Sequence, residues 1–230
     1  MDFGGLKEYL ETHDNYLILT HKSPDGDTLG AGFGLCGYLR DMGKRANVLN
    51  SENFPVRYNF LYDGYYVQEF EPQSVIAVDI ADTQLLGSHL AGFAEEGAID
   101  ICIDHHISNK HYARESFVDG NASATCLILY RLFKFIGRPI SDQAAKCLYT
   151  GIATDTGCFK YENTIPEAHI AAAELMQYNI DFSIINRRMF DVKSKGRLVA
   201  EQKAVEGMEY FFEDRCACLL YTSPSPRDRG

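Results

Sequence analysis

No stretch of this 230-residue sequence approaches the length of a membrane span, for which a helix needs about 20 consecutive apolar residues. The opening segment, MDFGGLKEYLETHDNYLILTH, lacks the basic residues ahead of an apolar run that mark an export signal, and it carries acids early. Positive charge is scarce: 22 Lys and Arg stand against 32 Asp and Glu, a formal charge of −10. Affinity for a long phosphate backbone comes from Lys and Arg, so a duplex-DNA coating protein is excluded while a short anionic substrate is not. Repeats and low-complexity tracts are also missing. The seven cysteines (Cys36, Cys102, Cys126, Cys147, Cys158, Cys216 and Cys218) are odd in number, and only the last two lie close together. Neither a disulfide framework nor a cysteine-based zinc site is expected, and the thiols read as reduced core residues of a cytoplasmic protein.

What the sequence does have is an ordinary globular composition, 46% apolar and 23% charged. Short, nearly continuous apolar runs at 16–20, 46–49, 74–80 and 99–103, with a further candidate at 116–119, read as strands covered on both faces. Helical segments are expected at 28–42, from a cap at Ser123 to about 135, from a cap at Ser141 to about 150, and from about Pro166 to 178. Strands alternating with helices predict an α/β fold, a doubly wound and mainly parallel sheet of about five strands flanked by helices. The expected organisation is a metal-binding domain over 1–187, a linker helix and the start of a second domain over 188–217, and a tail over 218–230. The tail sequence CLLYTSPSPRD has prolines and no periodicity, so it is not expected to extend a strand ladder. It resembles the translation of a sequencing adapter and is expected to be non-native, a flexible tail being the alternative.

Four clusters carry chemistry. His21-Lys-Ser-Pro-Asp25-Gly-Asp27 follows one strand and precedes a helix, with Pro24 and Gly26 allowing a tight turn. In open α/β sheets ligands bind beyond the carboxyl ends of strands, and an imidazole with two carboxylates there suits Mn²⁺ and related divalent ions. Asp79 ends a second strand in the same kind of position and could bridge two ions, while Asp82 reads as a cap for the next short helix. Asp104-His105-His106 follows a third strand. Adjacent residues of an extended chain point opposite ways, so one histidine is expected on metal and the other on substrate, with Asp104 orienting an imidazole. Asp155, with Gly157 behind it, sits where a helix stops. The first, second and fourth clusters each have a structural explanation as a cap or turn when taken alone, whereas two histidines after an acid at a strand end are much less easily explained by packing. Together the four clusters would place so many carboxylates in one site that cations are needed to offset their repulsion.

The motifs HKSPDGDTLGA, AVDIAD, IDHHISN and YTGIATDTGCFKYENT resemble those of the DHH phosphoesterase superfamily, most of all its bacterial nano-RNase and 3′-phosphoadenosine-5′-phosphate (pAp) phosphatase branch. The resemblance runs from about Tyr16 to Phe190. It implies one ion on His21, Asp25 and Asp79, and a second on Asp27, Asp79, His105 and Asp155. Mn²⁺ is favoured, and Mg²⁺ and Co²⁺ could also be accommodated. It implies catalytic roles for Asp79, for His106 against the scissile phosphate or leaving group, and for Asp104 in support. The implied substrates are very short RNA, cut to mononucleotides, and pAp, hydrolysed directly by activated water without a phosphoenzyme. No duplex DNA or membrane partner is implied, and a homodimer remains one option.

Family members carry a second domain with a glycine-rich, histidine-containing substrate motif that this sequence does not show. Metal binding with weak or absent turnover is therefore expected. The alternatives are a cyclic-dinucleotide phosphodiesterase, a manganese pyrophosphatase, or a metal-binding relict.

Overall fold

The structure is a computed structural model and describes residues 1–219. The chain divides into two compact units, Met1–Phe190 and Asp191–Gly230. In the first unit, helix α1 (Phe3–Thr12) leads into β1 (Tyr16–Leu19), α2 (Gly26–Asp41) and β2 (Ala46–Leu49). Then follow β3 (Ser74–Val78), β4 (Ile101–Asp104) and β5 (Glu115–Val118). The unit continues through α3 (Thr125–Ile136), α4 (Asp142–Asp155), α5 (Pro166–Leu175) and α6 (Phe182–Asn186).

The five strands form one parallel sheet in the order β2-β1-β3-β4-β5. Alternate side chains enter opposite faces. Ile18, Ile76, Val78, Ile101 and Ile103 pack into the main core with the long helices, whereas Leu19 and Ala77 pack with Leu86, Leu90 and Ile99. This second face is covered by two 3-10 segments, Thr83–Leu86 and Ser88–Ala94. The expected α/β sheet flanked by helices is thus the fold found, with one face lined by α-helices and the other by 3-10 turns.

Register positions the site. Leu19 lies opposite Ala77, and Val78 opposite Ile103. Extending each strand past its last pair brings His21, Asp79 and Asp104 level at one edge of the sheet. The Asp79 amide still bonds the Ile103 carbonyl (3.0 Å), but its own backbone turns left-handed (φ 60°), which ends β3 and swings the chain away. Asp is among the few non-glycine residues that adopt this conformation readily.

Ser141 caps α4 as expected, but Ser123 does not cap α3. Its hydroxyl donates to the Asn163 carbonyl and accepts the Ile165 amide (3.3 Å), and α3 begins after Ala124, which has no capping side chain. Asp82 caps the 3-10 turn that follows it, accepting from the Gln84 amide (2.9 Å). Cys36, Cys102, Cys126 and Cys147 are buried free thiols.

The described part of the second unit holds α7 (Lys195–Glu206) and an antiparallel hairpin of β6 (Met208–Phe211) and β7 (Cys216–Leu219). Here the expected exclusion of residues 218 onward from a strand ladder fails: Cys218 pairs with Glu209 and Leu219 with Met208. The prolines that block strand pairing begin only at Pro224. The rest of the tail, 220–230, lies outside the described residues. No helix among the described residues is long and apolar enough to cross a membrane.

Candidate metal centre

Asp79 is the middle of the site. It is almost fully buried, and its two carboxylate oxygens face two different histidines: Oδ2 lies 3.7 Å from His21 Nε2, and Oδ1 lies 3.6 Å from His105 Nε2. Each of these imidazoles is fixed from behind. His21 Nδ1 is 2.8 Å from the Lys22 carbonyl, and His105 Nδ1 is 3.2 Å from the Ala122 carbonyl. A carbonyl oxygen only accepts, so Nδ1 carries the proton in both rings and Nε2 is the nitrogen presented to the cluster. That is the arrangement of histidines that bind metal.

Around His21, Asp25 Oδ1 approaches Nε2 to 3.7 Å. The same oxygen caps α2, accepting from the amides of Asp27 (3.0 Å) and Thr28 (3.1 Å). The cap reading of this turn is therefore true without displacing the ligand reading. Around His105, Asp155 Oδ2 lies at 3.2 Å and Asp27 Oδ2 at 3.9 Å. Asp27 is fully buried, and its carboxylate accepts from the first two amides of α3, Thr125 (2.7 Å) and Cys126 (2.9 Å). His21, Asp25 and Asp79 form one group whose ligand atoms all lie within 4.8 Å of one another, and Asp27, His105 and Asp155 form another. Each sequence-predicted ligand falls in one of these two groups, and Asp79 also forms a third with His105 and His106, whose Nδ1 lies 3.7 Å from Asp79 Oδ1.

Asp155 arrives from α4, which runs antiparallel to α2 at very close range. A Cβ at Gly30 would sit 2.5 Å from the Cys147 carbonyl. One at Gly151 would sit 2.2 Å from Cys126 Sγ and 2.6 Å from Asp27 Oδ1. Only glycine lets the two helices approach this far. The four-residue spacing of Gly26, Gly30 and Gly34 was the signal in the sequence for this contact.

The two histidines of the DHH triplet do not point opposite ways. β4 ends at Asp104, and the rings of the two residues that follow lie 4.4 Å apart. Hydrogen bonding separates their roles instead. His106 Nδ1 is 2.7 Å from Asp104 Oδ1, and the His106 side chain is 42% exposed. Asp104 is fully buried. Its Oδ1 also accepts the His105 amide (2.8 Å), and its Oδ2 accepts Asn109 Nδ2 (2.6 Å). Asn109 was not singled out from the sequence, although it lies within IDHHISN.

The acids of the site are shifted in opposite directions. Burial, then the charges of Asp79 and Asp155, push Asp27 well above the ordinary carboxylate range. Burial and the Asp25 charge raise Asp79 to about 7. Burial works against protonation of His21 and His105. Asp25 nevertheless lifts His21 to about 9, and Asp155 with Asp27 and Asp79 lifts His105 to about 10. Asp104 goes the other way, held below its usual value against burial by its bonds to His106 and Asn109. Buried carboxylates that crowd one another, with imidazole Nε2 atoms aimed at them, fit divalent ions that take oxygen and imidazole ligands.

Residues 15–152 match the model of the DHH family, N-terminal domain. The chain is 30% identical over 217 residues to the bifunctional oligoribonuclease and PAP phosphatase NrnA of Thermus thermophilus, covering 93% of this chain and 64% of that protein. It is 32% identical over 182 residues to the probable bifunctional oligoribonuclease and PAP phosphatase NrnA of Streptococcus mutans, covering 78% of this chain and 58% of the relative. The chain thus spans about three fifths of the length of these relatives. A crystal structure of an exopolyphosphatase-related protein from Bacteroides fragilis superposes with a TM-score of 0.80 at 27% identity, over 91% of this chain and 66% of that one. With this family match over most of the sheet and its surrounding site, the chain belongs to the DHH family.

Proposed function

We propose that this protein is a two-metal phosphoesterase of the nano-RNase and pAp phosphatase type, hydrolysing very short oligoribonucleotides to mononucleotides and pAp to AMP. The observation that carries the proposal is the Asp79 carboxylate with one oxygen toward His21 and the other toward His105, both imidazoles fixed with Nε2 inward. In this reading His21, Asp25 and Asp79 hold one ion, and Asp27, Asp79, His105 and Asp155 hold the other, with Mn²⁺ preferred. Two such ions would lower the pKa of a water molecule and offset the charge of the phosphoryl oxygens.

The protein's own residues supply the remainder. Asp104 accepts a hydrogen bond from His106 Nδ1–H, and the half-exposed ring, when it also carries a proton on Nε2, would offer that Nε2–H to the leaving-group oxygen. The first unit supplies the chemistry, with 1–187 as the catalytic lobe, and 188–217 begins the substrate-binding lobe. The names of the NrnA relatives support the substrate class. The buried free thiols and the acidic balance suit a cytoplasmic setting.

The test is a panel of pAp, an RNA dinucleotide, pyrophosphate and cyclic di-AMP, incubated with Mn²⁺ and a high concentration of this chain. Release of AMP from pAp and mononucleotides from the dinucleotide should exceed turnover of the other two. Preference for pyrophosphate or cyclic di-AMP would overturn the assignment.

A further inference from the structure

We infer that Thr125 is the positioning residue that fixes the Asp79 carboxylate between the two ions. The inference rests on the two-metal reading above and adds to it a residue outside every recognised motif.

Thr125 is fully buried, and it bonds two acids of the site at once. Its hydroxyl donates to Asp79 Oδ1 (2.9 Å), and its backbone amide donates to Asp27 Oδ2 (2.7 Å). It can do both because it is the first residue of α3, where main-chain amides have no partner inside the helix. The residue before it, Ala124, has no side-chain oxygen to satisfy those amides. Asp27, 98 positions earlier in the chain, takes that place through Thr125 and Cys126.

The hydroxyl matters because of the geometry around Asp79. Where a carboxylate presents one oxygen to each of two ions, rotation about its last side-chain bond loses both alignments together. His21 lies toward Oδ2 and His105 toward Oδ1. Among the described residues, the Thr125 hydroxyl is the hydrogen-bond donor that Asp79 accepts, and it acts on Oδ1. An oxygen that accepts one hydrogen bond keeps a lone pair for one ion. The hydroxyl thus sets the plane in which Oδ1 faces the His105 side and Oδ2 the His21 side. Residues that orient metal ligands in this way typically contribute about 10- to 100-fold in metal affinity.

Calorimetric titration of the metal-free full chain with Mn²⁺ tests this, using Thr125→Val and Thr125→Ser. Valine keeps the shape and removes the hydroxyl; serine keeps the hydroxyl and removes a methyl group. The expected result is a loss of about 10- to 100-fold in Mn²⁺ affinity for the valine variant, with wild-type affinity retained in the serine variant. If Thr125 only fills space, the order reverses, with valine near wild type and serine weakened, and the inference is overturned. If the valine variant lacks the wild-type far-ultraviolet dichroism, Thr125→Ala replaces it. Alanine and serine both lack the methyl group, so equal affinities for that pair also overturn it. A wild-type chain that takes up no Mn²⁺ sinks the two-metal reading itself, which is a different failure from a wild type that binds normally beside an unaffected valine variant.

Discussion

The backbone of Gly151 passes so close to Asp27 that a Cβ there would lie 2.6 Å from Asp27 Oδ1. One helix-packing contact thereby shapes one edge of the candidate metal centre. Gly151→Ala should lower thermal stability by about 1–3 kcal/mol, the usual range for overpacking, and weaken Mn²⁺ uptake because Asp27 must move. Gly30→Ala, whose Cβ would meet the Cys147 carbonyl, should show the stability loss with a smaller effect on metal. Thermal unfolding and calorimetry on the two variants check both statements, and unchanged melting in Gly151→Ala would contradict them.

Asp104 fixes which nitrogen of His106 is free. Asp104→Asn keeps the shape, but its side chain can no longer act as an acceptor for all three of its donors. Turnover of pAp should fall roughly 10- to 100-fold, as for other losses of an orienting acid, while Mn²⁺ affinity stays near wild type. A parallel loss of metal would show instead that Asp104 supports the ligand shell through the His105 amide.

Stability of the metal-free chain should fall as pH rises. Asp79 is raised to about 7, so above its unfolded value the folded state is disfavoured, and this penalty grows until the group ionises near 7. His21 and His105 are raised to about 9 and about 10. Their contribution is complete below about 6.5, the unfolded histidine value, and is lost as pH climbs through those folded values. All three shifts act in the same direction, so the melting temperature without metal should decline steadily from pH 5 to 10. Metal binding displaces protons from its ligands and tightens as pH rises, so saturating Mn²⁺ should flatten or reverse the decline. A metal-free melting temperature that rises across this range would contradict the charge assignments.

The sheet and most of the site were legible in the sequence for one physical reason. His21, Asp79 and Asp104 each follow a short apolar run, and parallel strands in register bring such ends to one edge. Asp155 was less legible, reading alone as a turn at a helix end, because its approach depends on glycine contacts between α2 and α4 that only the spacing of Gly26, Gly30 and Gly34 signals. Thr125 and Asn109 were not legible for a related reason. Their partners, Asp27 and Asp79 for the first and Asp104 for the second, are set by how the chain packs or turns, and neither residue type points to a metal site. The expected opposition of His105 and His106 failed because it assumed an extended chain where β4 has already ended. The expected Ser123 cap failed because that hydroxyl is committed to the Asn163 loop, and Asp27 satisfies the amides of α3 instead.

The central claim is that one carboxylate serves both ions. Calorimetric titration of the metal-free chain with Mn²⁺, comparing wild type with Asp79→Ala, tests it most directly. Wild type should bind two ions per chain, and binding of both should weaken in the variant, because the removed oxygens face His21 and His105 alike. Unchanged stoichiometry and affinity in Asp79→Ala, or loss confined to a single ion, would contradict it.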